Sequence, residues 1–549
     1  AAATAATLSV MWLCAFKQAG NYILPYSYSA LHGCALGLAA LALAVKAVGS
    51  RQKAAGSSEK AEDKDLISDE SDSSHQAQCK QLSAAYWLAA AGALAGLATL
   101  AKTEMGLAAL TAGVMAAALA GYPNKRRAAA LTLAFAMPAM LVVVAAYGII
   151  VARVGWQTLS QDSFLFLRNL SPELIYFNKR VSGFDQPLQS FIQMIAATAR
   201  LAAIAIIIAT LSLIITRNGK DRASGKIALA EAGITDAGRI TYLQLWALFA
   251  LSLIVFFLIP LADGMSWDKG PYLAMPLLLA ALLIGALVVY QKQVSKRGEA
   301  NEKIITLIVV GAYALASLAR VILRVRSGGA YSSYLLPASV ILFTYGWARL
   351  FAGLFRDGRT RRVARNIAIG LILADVVATA GLLAYRYRAK NTYPIVTERG
   401  TIIAVPDLGQ AVEEAMDFIK KETAPGEAVA VMPEGTSLNF FTERPNPIRE
   451  EITTPGYLDA AGEERAIRQL EQSNTRLILV TNRATPEFGP AVFGRDYCER
   501  LMAWIDANFE PVAIFGPDKS DDLQIGDKTF FIRAYRKKQK VLTLLRPEF

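Results

Sequence analysis

The stretch GLATLAKTEMGLAALTAG, residues 96–113, decides the fold class, because it sets two charged residues between two runs of Ala, Leu and Gly. Lys102 and Glu104 lie only two residues apart in its centre. The apolar residues on either side continue far enough to supply two transmembrane helices of about 20 residues each. Charges inside a bilayer are costly, so we predict that one helix ends here and another begins.

The composition of the whole chain supports a membrane protein. Of 549 residues, 54% are hydrophobic and only 19% are charged. A soluble protein of this length carries more charge and interrupts its apolar runs more often. About eleven transmembrane spans can be read, near residues 1–17, 22–46, 84–101, 105–121, 129–152, 190–215, 241–262, 272–290, 304–323, 334–355 and 366–386.

The net charge of +12 follows from membrane topology rather than from a nucleic-acid partner. The basic residues gather in four short loops, YPNKRRA, TRNGKDRASGK, QKQVSKRGEANEK and LFRDGRTRRVAR. The positive-inside rule places these loops in the cytoplasm. The same alternation places Lys102, Glu104 and everything after about residue 387 on the outer side.

Two further regions are set apart by composition. Residues 50–81 are rich in Ser, Glu, Asp and Lys, so we predict a disordered cytoplasmic linker. From residue 391 the pattern changes to short β-rich runs, TIIAV, AVAVM, RLILV, PVAIFG and TFFIRAY, which alternate with amphipathic helices. The expected fold class is therefore mainly α: a polytopic transmembrane helix bundle over 1–390, followed by an extracytoplasmic α/β domain over 391–549.

Metal and phosphate-loop chemistry find little support in the residues. The four cysteines are scattered and there are only two histidines, so a Cys/His zinc site or a disulfide framework is not expected, while a divalent metal bound by other residues remains open. The segment MPEGTSLNFFTERPNP of the C-terminal domain offers Glu434, Glu443 and Arg444. A strand-to-helix turn is the simpler reading of that segment, and we expect a lid or recognition role for the domain rather than catalysis.

A second group of charges lies in ARVILRVRSGGAYSSYLLP. It places Arg320 and Arg324 at positions i and i+4 of a helix, with Arg326, Tyr331 and Tyr334 following. Arginines at the outer end of a span run against the positive-inside rule, and guanidinium groups bind phosphates in bidentate fashion. Arginines that reach towards lipid headgroups remain an alternative.

Carboxylates beside aromatic rings give a weaker signal. In LADGMSWDKGPY, Asp268 follows Trp267, and such a pairing commonly lines a sugar-binding site. Aromatic belts at the membrane interface produce the same composition.

The order of these features resembles the family 39 and ArnT-like bacterial membrane glycosyltransferases of the GT-C superfamily. The matching segments are NYILPYSYSALHGCALGLAALAL, LAGLATLAKTEMGLAAL, YSSYLLPASVILF before a basic loop, and the outer α/β domain with MPEGTSLNFFTERPNP. The resemblance covers nearly the whole chain, and the GLAxLxK element is its most recognisable part. It implies an enzyme of the bacterial cytoplasmic membrane that passes a sugar from a polyprenyl-phosphate donor to a hydroxyl on lipid, glycan or protein, without a cofactor.

The resemblance also implies roles for residues. Lys102, Arg324 and Arg326 are expected to bind the donor phosphate. Glu104, Tyr331, Tyr334 and Asp268 are expected to bind substrate or to support those that do, with Glu104 as a partner of Lys102. The family's acidic general base lies in the first outer loop, but here no acidic residue precedes Glu59. The base is therefore expected upstream of Ala1, in a segment of about two helices.

Two other functions remain open at this stage. A transporter also uses outward-facing charges and broken helices, although no inverted repeat is visible here. A catalytically inactive relative that binds glycan or lipid would follow if the complete protein lacks the acidic base.

Overall fold

The chain folds into two compact units in a computed structural model, which describes residues 2–11, 28–62, 70–160, 170–223, 250–251, 254, 271–297, 300–326, 332–490, 492–516 and 530–539. The first, here called the membrane unit, comprises residues 1–159 and 181–383. The second, here called the C-terminal domain, comprises residues 384–549 together with 160–180. The boundary lies close to the predicted residue 390, but the short segment 160–180 joins the C-terminal domain, which the sequence did not indicate.

The membrane unit is helical throughout its described residues. Its helices are α1 (Ala2–Met11), α2 (Tyr28–Glu62), α3 (Glu70–Ala101), α4 (Thr103–Gly121), α5 (Lys125–Val154), α6 (Trp156–Leu159), α8 (Pro187–Ala223), α9 (Met275–Arg297), α10 (Glu302–Ser317), α11 (Ser332–Leu335), α12 (Pro337–Leu354) and the larger part of α13 (Gly358–Lys390). Helix α7 (Pro172–Ser182) crosses the boundary between the two units.

Six helical stretches within the described residues are long and apolar enough to cross a membrane. They are Tyr28–Ser50, Ser83–Ala101, Thr103–Gly121, Lys125–Val154, Pro172–Thr216 and Tyr272–Lys296. These correspond to six of the eleven predicted spans, and the multi-span membrane class is thereby supported. The span predicted near 241–262 lies largely outside the described residues. Helix α10 has 16 residues and is about 24 Å long, which is shorter than a typical hydrocarbon core.

Alanines form much of the interior between α3 and α4, and large apolar residues cover the exposed side of α5. Ala91 and Ala95 of α3, and Ala108 and Ala112 of α4, are fully buried. On α5, by contrast, the exposed positions are large and apolar, among them Met137, Met140, Leu141 and Val144. In lipid there is no hydrophobic force between helices, so small residues that allow close backbone approach provide the packing energy.

The segment 50–81, predicted to be a disordered linker, is helical at both ends. Helix α2 continues to Glu62 and α3 begins at Glu70, while residues 63–69 lie outside the described set. The segment contains many Ala, Lys, Glu and Gln residues, which have high helix propensity. Extending a helix that has already formed requires no new nucleation, so polar composition alone did not predict disorder correctly here.

The C-terminal domain contains two sheets and four helices of its own. Strands β1 (Tyr393–Thr397) and β2 (Gly400–Ala404) form an antiparallel hairpin. Strands β3 (Val429–Met432), β4 (Leu477–Thr481), β5 (Phe509–Phe515) and β6 (Ile532–Lys537) form a sheet of order β3-β4-β6-β5, in which only β3 and β4 are parallel. The helices are α14 (Pro406–Glu422), α15 (Thr436–Thr442), α16 (Ala460–Gln472) and α17 (Glu499–Asn508). All five predicted strands are present, and β1 is an addition.

Both faces of the four-stranded sheet are buried, which explains the nearly continuous apolar strands. Val429 and Val431 point into one hydrophobic cluster with α14, whereas Ala430 and Met432 point into another with α16 and α17. Alternate residues of a strand face opposite sides, so helices on both sides are required to cover it. The domain is an α/β layer structure, as the sequence predicted.

The thiol of Cys498 provides a test of this packing. The residue is buried at the start of α17, its Sγ lies 3.7 Å from the Thr453 carbonyl, and burial raises its pKa to about 12. Because only the thiolate reacts, maleimide labelling at pH 8 should be about a thousandfold slower than for a free thiol of pKa 9. In a variant whose other three cysteines are alanine, labelling should reach the free-thiol rate only in denaturant. Fast labelling in the folded state would contradict the packing.

Candidate functional site

The helix break predicted at Lys102 is present. Helix α3 ends at Ala101, Lys102 has an extended backbone (φ −158°, ψ 113°), and α4 begins at the next residue. A Cβ placed on Gly33 of α2 would lie 2.7 Å from the Lys102 Cβ, so α2 packs directly against this corner. Lys102 is therefore held by three helices at one end of the bundle.

Glu104 lies in the first turn of α4 and forms an ion pair with Arg320. The side chains of Glu104 and Arg320 are 22% and 27% exposed. The carboxylate also lies at the positive end of the α4 dipole. Glu104 was predicted to be a partner of Lys102, but its hydrogen bond goes to Arg320, which is 216 residues away in the chain.

Arg324 forms the second ion pair of this region, with Asp185. Arg324 Nη1 donates to Asp185 Oδ2 at 3.2 Å, and Nη2 lies 3.0 Å from Oδ1, so the two groups face each other as a bidentate ion pair with one hydrogen bond. The side chains are 19% and 15% exposed. Asp185 was not singled out from the sequence; it precedes Pro187, the first residue of α8, so the only local signal was an acidic residue near a helix start.

The chain segment before Asp185 is fitted closely to the segment that carries Arg324. The Leu323 N–H donates to the Ser182 carbonyl at 3.2 Å. Gly183 has φ +87°, and a Cβ there would lie 2.8 Å from the Leu323 Cβ and 3.2 Å from the Arg324 Cβ. Both the positive φ and the close approach require glycine. The bidentate pair is thus supported by a backbone contact beside it.

Arg320 and Arg324 do not share a regular helix, which corrects the prediction of an i, i+4 pair. Helix α10 ends at Ser317, and a 3-10 turn over Ala319–Val321 follows. The Ser317 hydroxyl donates to the Leu335 carbonyl at 2.9 Å. Such tertiary bonds outweigh local helix propensity, which only weakly determines where a helix ends.

Together Lys102, Glu104, Asp185, Arg320 and Arg324 form what we call the charged cluster. Its three bases and two carboxylates leave one net positive charge. Within the part of the chain that the structure describes, Lys102 has no carboxylate within ion-pair distance.

The charged cluster lies at the helix ends opposite to the Lys- and Arg-rich connections. It is built at the start of α4, after the end of α10 and before the start of α8. The opposite ends of these same helices carry three basic segments, YPNKRRA, QKQVSKRGEANEK and TRNGKDRASGK. This arrangement agrees with the alternation read from the sequence.

The other predicted site residues differ in how far they are buried, and two of them are not described. Arg326 is exposed and lies two residues after Arg324 in the chain. Tyr334 is only 3% exposed and belongs to the main hydrophobic cluster of the membrane unit. Tyr331 and Asp268 lie outside the described residues.

An apolar groove runs down the bundle beside α8, α9 and α12. It has a volume of about 310 Å³ and is lined mostly by Leu, Ala and aromatic residues, from Ser339 and Met275 at one end to Leu350 at the other. Ser339 is fully buried, and its hydroxyl has no hydrogen-bond partner among the described residues. Because Ser317 at the end of α10 bonds to Leu335 just before α12, the Ser339 end of the groove is at the same end of the bundle as the charged cluster.

The charged residues of MPEGTSLNFFTERPNP each form contacts within the C-terminal domain. Arg444 is 6% exposed and donates to the Thr423 hydroxyl and carbonyl and to the Thr442 carbonyl. Glu443 ends α15 in a left-handed conformation and pairs with Arg399. Glu434 pairs with Arg483 on the surface. The described residues also contain no group of three His, Cys, Asp or Glu that could hold a metal ion.

Comparisons with known proteins identify no family. No protein-family model matches the chain, and neither a curated protein nor a solved structure matches it. What the fold and site define is therefore a class: a membrane-embedded helical protein with a small C-terminal α/β domain and a charged cluster at one end of its helices.

Proposed function

We propose that this chain is a membrane glycosyltransferase that moves a sugar from a polyprenyl-phosphate donor to a hydroxyl on lipid, glycan or protein. The observation that carries the proposal is the charged cluster: Lys102 and the ion pairs Glu104–Arg320 and Asp185–Arg324 lie at the same end of the bundle and leave a net positive charge. A phosphate that becomes a leaving group gains negative charge, and fixed guanidinium and ammonium groups stabilise it.

The carboxylates are proposed to position the arginines. Asp185 fixes the fork of Arg324, and Glu104 fixes Arg320 beside Lys102. A guanidinium that is already oriented loses less conformational entropy when it binds a phosphate. Arg326, two residues after Arg324, adds a further positive charge, and the resemblance implies that it also binds the donor phosphate.

The apolar groove suits the lipid part of such a donor. A polyprenyl chain has no hydrogen-bonding groups, so it requires a continuous apolar surface next to the site of its phosphate. The groove begins at the end of the bundle that carries the charged cluster and follows α12 for three turns. Phosphate and chain could therefore be bound at one end and along the side of the same unit.

In the proposed reaction one bond to the anomeric carbon forms as another breaks, and the acceptor hydroxyl loses a proton. The acceptor hydroxyl gives its proton to a general base, its oxygen forms a bond to the anomeric carbon, and the bond from that carbon to the phosphate oxygen breaks. The polyprenyl phosphate leaves with the electron pair, beside Lys102, Arg320 and Arg324. We assign Glu104 and Asp185 to positioning rather than to the role of base, because arginines already hold them.

The membrane orientation and location belong to the same proposal. The positive-inside rule supports a cytoplasmic location for the Lys- and Arg-rich connections. The charged cluster and the C-terminal domain would then lie on the outer face of a bacterial cytoplasmic membrane, where lipid-linked sugars replace nucleotide sugars as donors.

Transfer in vesicles tests the proposal. The protein, together with any residues that precede Ala1, is reconstituted with a labelled polyprenyl-phosphate sugar and a lipid acceptor fraction. We expect labelled product, reduced about a hundredfold or more by Lys102→Ala because one phosphate-stabilising donor is lost. Lys125→Ala is the matched control and should retain activity. Lys125 begins α5, next to the end of α4 that is opposite to Lys102.

Two results would overturn the assignment. Equal transfer by the Lys102→Ala and Lys125→Ala variants would remove the phosphate role of Lys102. Uptake of free solute into the vesicles without any transfer product would favour the transporter.

A further inference from the structure

The hairpin β1–β2 has an outer face that is apolar and exposed. In its register Pro394 pairs with Ile403 and Val396 pairs with Thr401, and cross-strand partners lie on the same face of a sheet. All four residues are exposed, with Val396 at 68% and Ile403 at 42%. None of them is charged. Among the described residues, no side chain covers this face.

The other face of the hairpin packs on its own domain over part of its length. Ile395 and Ala404 are 4% and 7% exposed and belong to the cluster that packs on α14, whereas Ile402 beside Ile395 remains 42% exposed. The hairpin is therefore fixed to its domain by one face, and its second face is left for a partner. A two-stranded hairpin with an uncovered apolar face is costly in water, which points to a partner that is constantly present.

The charge at the hairpin turn is largely neutralised. Arg399 pairs with Glu443 at 2.8 Å, and its guanidinium lies 4.3 Å from the centre of the Phe440 ring. Phe440 is 55% exposed and extends the apolar surface beyond the turn. Glu398, the other charged residue of the turn, is exposed and remains in reach of water. The face thus offers apolar contact with little net charge.

The hairpin begins very close to a helix end with an interfacial composition. Helix α13 ends at Lys390 and β1 begins at Tyr393, and three residues reach at most about 10 Å. The last turns of α13 read AYRYRAK, and Tyr385 and Tyr387 are 71% and 45% exposed. Tyr alternating with Arg or Lys is the pattern of a membrane–water interface. The outer face therefore starts within about 10 Å of this helix end.

We propose that the outer face of the β1–β2 hairpin rests in the membrane interface, with Pro394, Val396 and Ile403 against the boundary between headgroups and acyl chains. The partner is the lipid bilayer itself. Because the face carries no positive charge, anionic lipids are not required. The contact does not depend on sugar transfer.

A fluorescent probe on the hairpin tests this contact in the whole protein. Val396→Cys is labelled with bimane in a background whose four native cysteines are alanine, and the protein is placed in nanodiscs of phosphatidylcholine. Arg468→Cys, on the exposed side of α16, is the matched control. Lipids with a nitroxide near the top of the acyl chain should quench the probe at 396 on the order of twofold, because an apolar face in the interface lies about 5–10 Å deep. The probe at 468 should not respond.

Iodide in the water phase gives the complementary measurement. The probe at 396 should be protected from iodide relative to the probe at 468. Protection from iodide without quenching by the nitroxide lipid would mean that protein, from this chain or a second copy, covers the face, and would overturn the proposal. Full access to iodide would overturn it as well. Ile403→Cys on the same face must give the same result as Val396→Cys, which guards against a local disturbance at one label.

Discussion

Replacing Arg320 or Arg324 by alanine is expected to lower sugar transfer by about 10²–10³-fold, the effect of removing one donor that stabilises developing charge. The loss should fall on kcat more than on KM, because the phosphate gains its charge as the sugar bond breaks. Lysine at either position should recover only part of the rate, since an ammonium cannot form the fork that Arg324 makes with Asp185. Initial rates in reconstituted vesicles measure both effects. Arg349→Ala, an exposed arginine on α12, is the matched control.

Loss of activity through misfolding must be separated from loss of a phosphate contact. Arg320→Ala leaves the Glu104 carboxylate partly buried without its partner, and we expect it to cost about 1–3 kcal/mol of stability. The double variant Arg320→Ala/Glu104→Gln removes both charges and should recover most of that stability, measured by thermal unfolding in detergent. Its transfer rate should stay low. Recovery of transfer along with stability would show that the pair is structural only.

The sequence predicted those parts of the molecule that depend on local pattern. Six apolar stretches became six membrane-length helices, and the strands of the C-terminal domain followed their β-rich runs. The break at Lys102 was also predictable, because two charges cannot remain in the middle of a span without a reason.

Contacts between distant residues could not be read in the same way. Asp185 lies 139 residues before Arg324, and nothing in either local pattern indicates that the two side chains form a fork. Glu104 was assigned to Lys102 because the two are neighbours in sequence, but the backbone extends at Lys102 and the carboxylate meets Arg320 instead. Tyr334 carries a polar hydroxyl in the YSSYLLP segment, but its side chain is buried in the main hydrophobic cluster.

The spacing of two glycines in α3 carries information about tertiary packing. The run GALAG in α3 places Gly92 and Gly96 four residues apart, which is the small-residue spacing of closely packed membrane helices. A Cβ on Gly92 would lie 1.9 Å from the Phe135 carbonyl oxygen, and one on Gly96 would lie 2.6 Å from the Ala139 carbonyl oxygen. Helix α3 therefore touches the backbone of α5 through these two positions.

Gly92→Leu is expected to be the most damaging substitution in the membrane unit. The obstacle is a main-chain oxygen of α5, which cannot move without displacing the helix, so we expect a loss of at least about 3 kcal/mol, at the upper end of overpacking costs. The measurement is the yield of monodisperse protein and its unfolding in detergent. Gly148→Leu on α5 is the matched control, because nothing lies within 4 Å of a Cβ there. It should be tolerated, or slightly stabilising through helix propensity.

Phe135 separates two kinds of close contact and so provides a rescue test. A Cβ on Gly113 of α4 would lie 2.1 Å from the Phe135 ring, which is a side chain and can be removed. Gly113→Leu should therefore be destabilising alone and improve when combined with Phe135→Ala, since the ring's space becomes available to the new side chain. Gly92→Leu should gain nothing from Phe135→Ala, because the carbonyl that it meets is still present. Equal rescue of both glycine variants would mean that the α3–α5 approach is looser than the backbone contact requires.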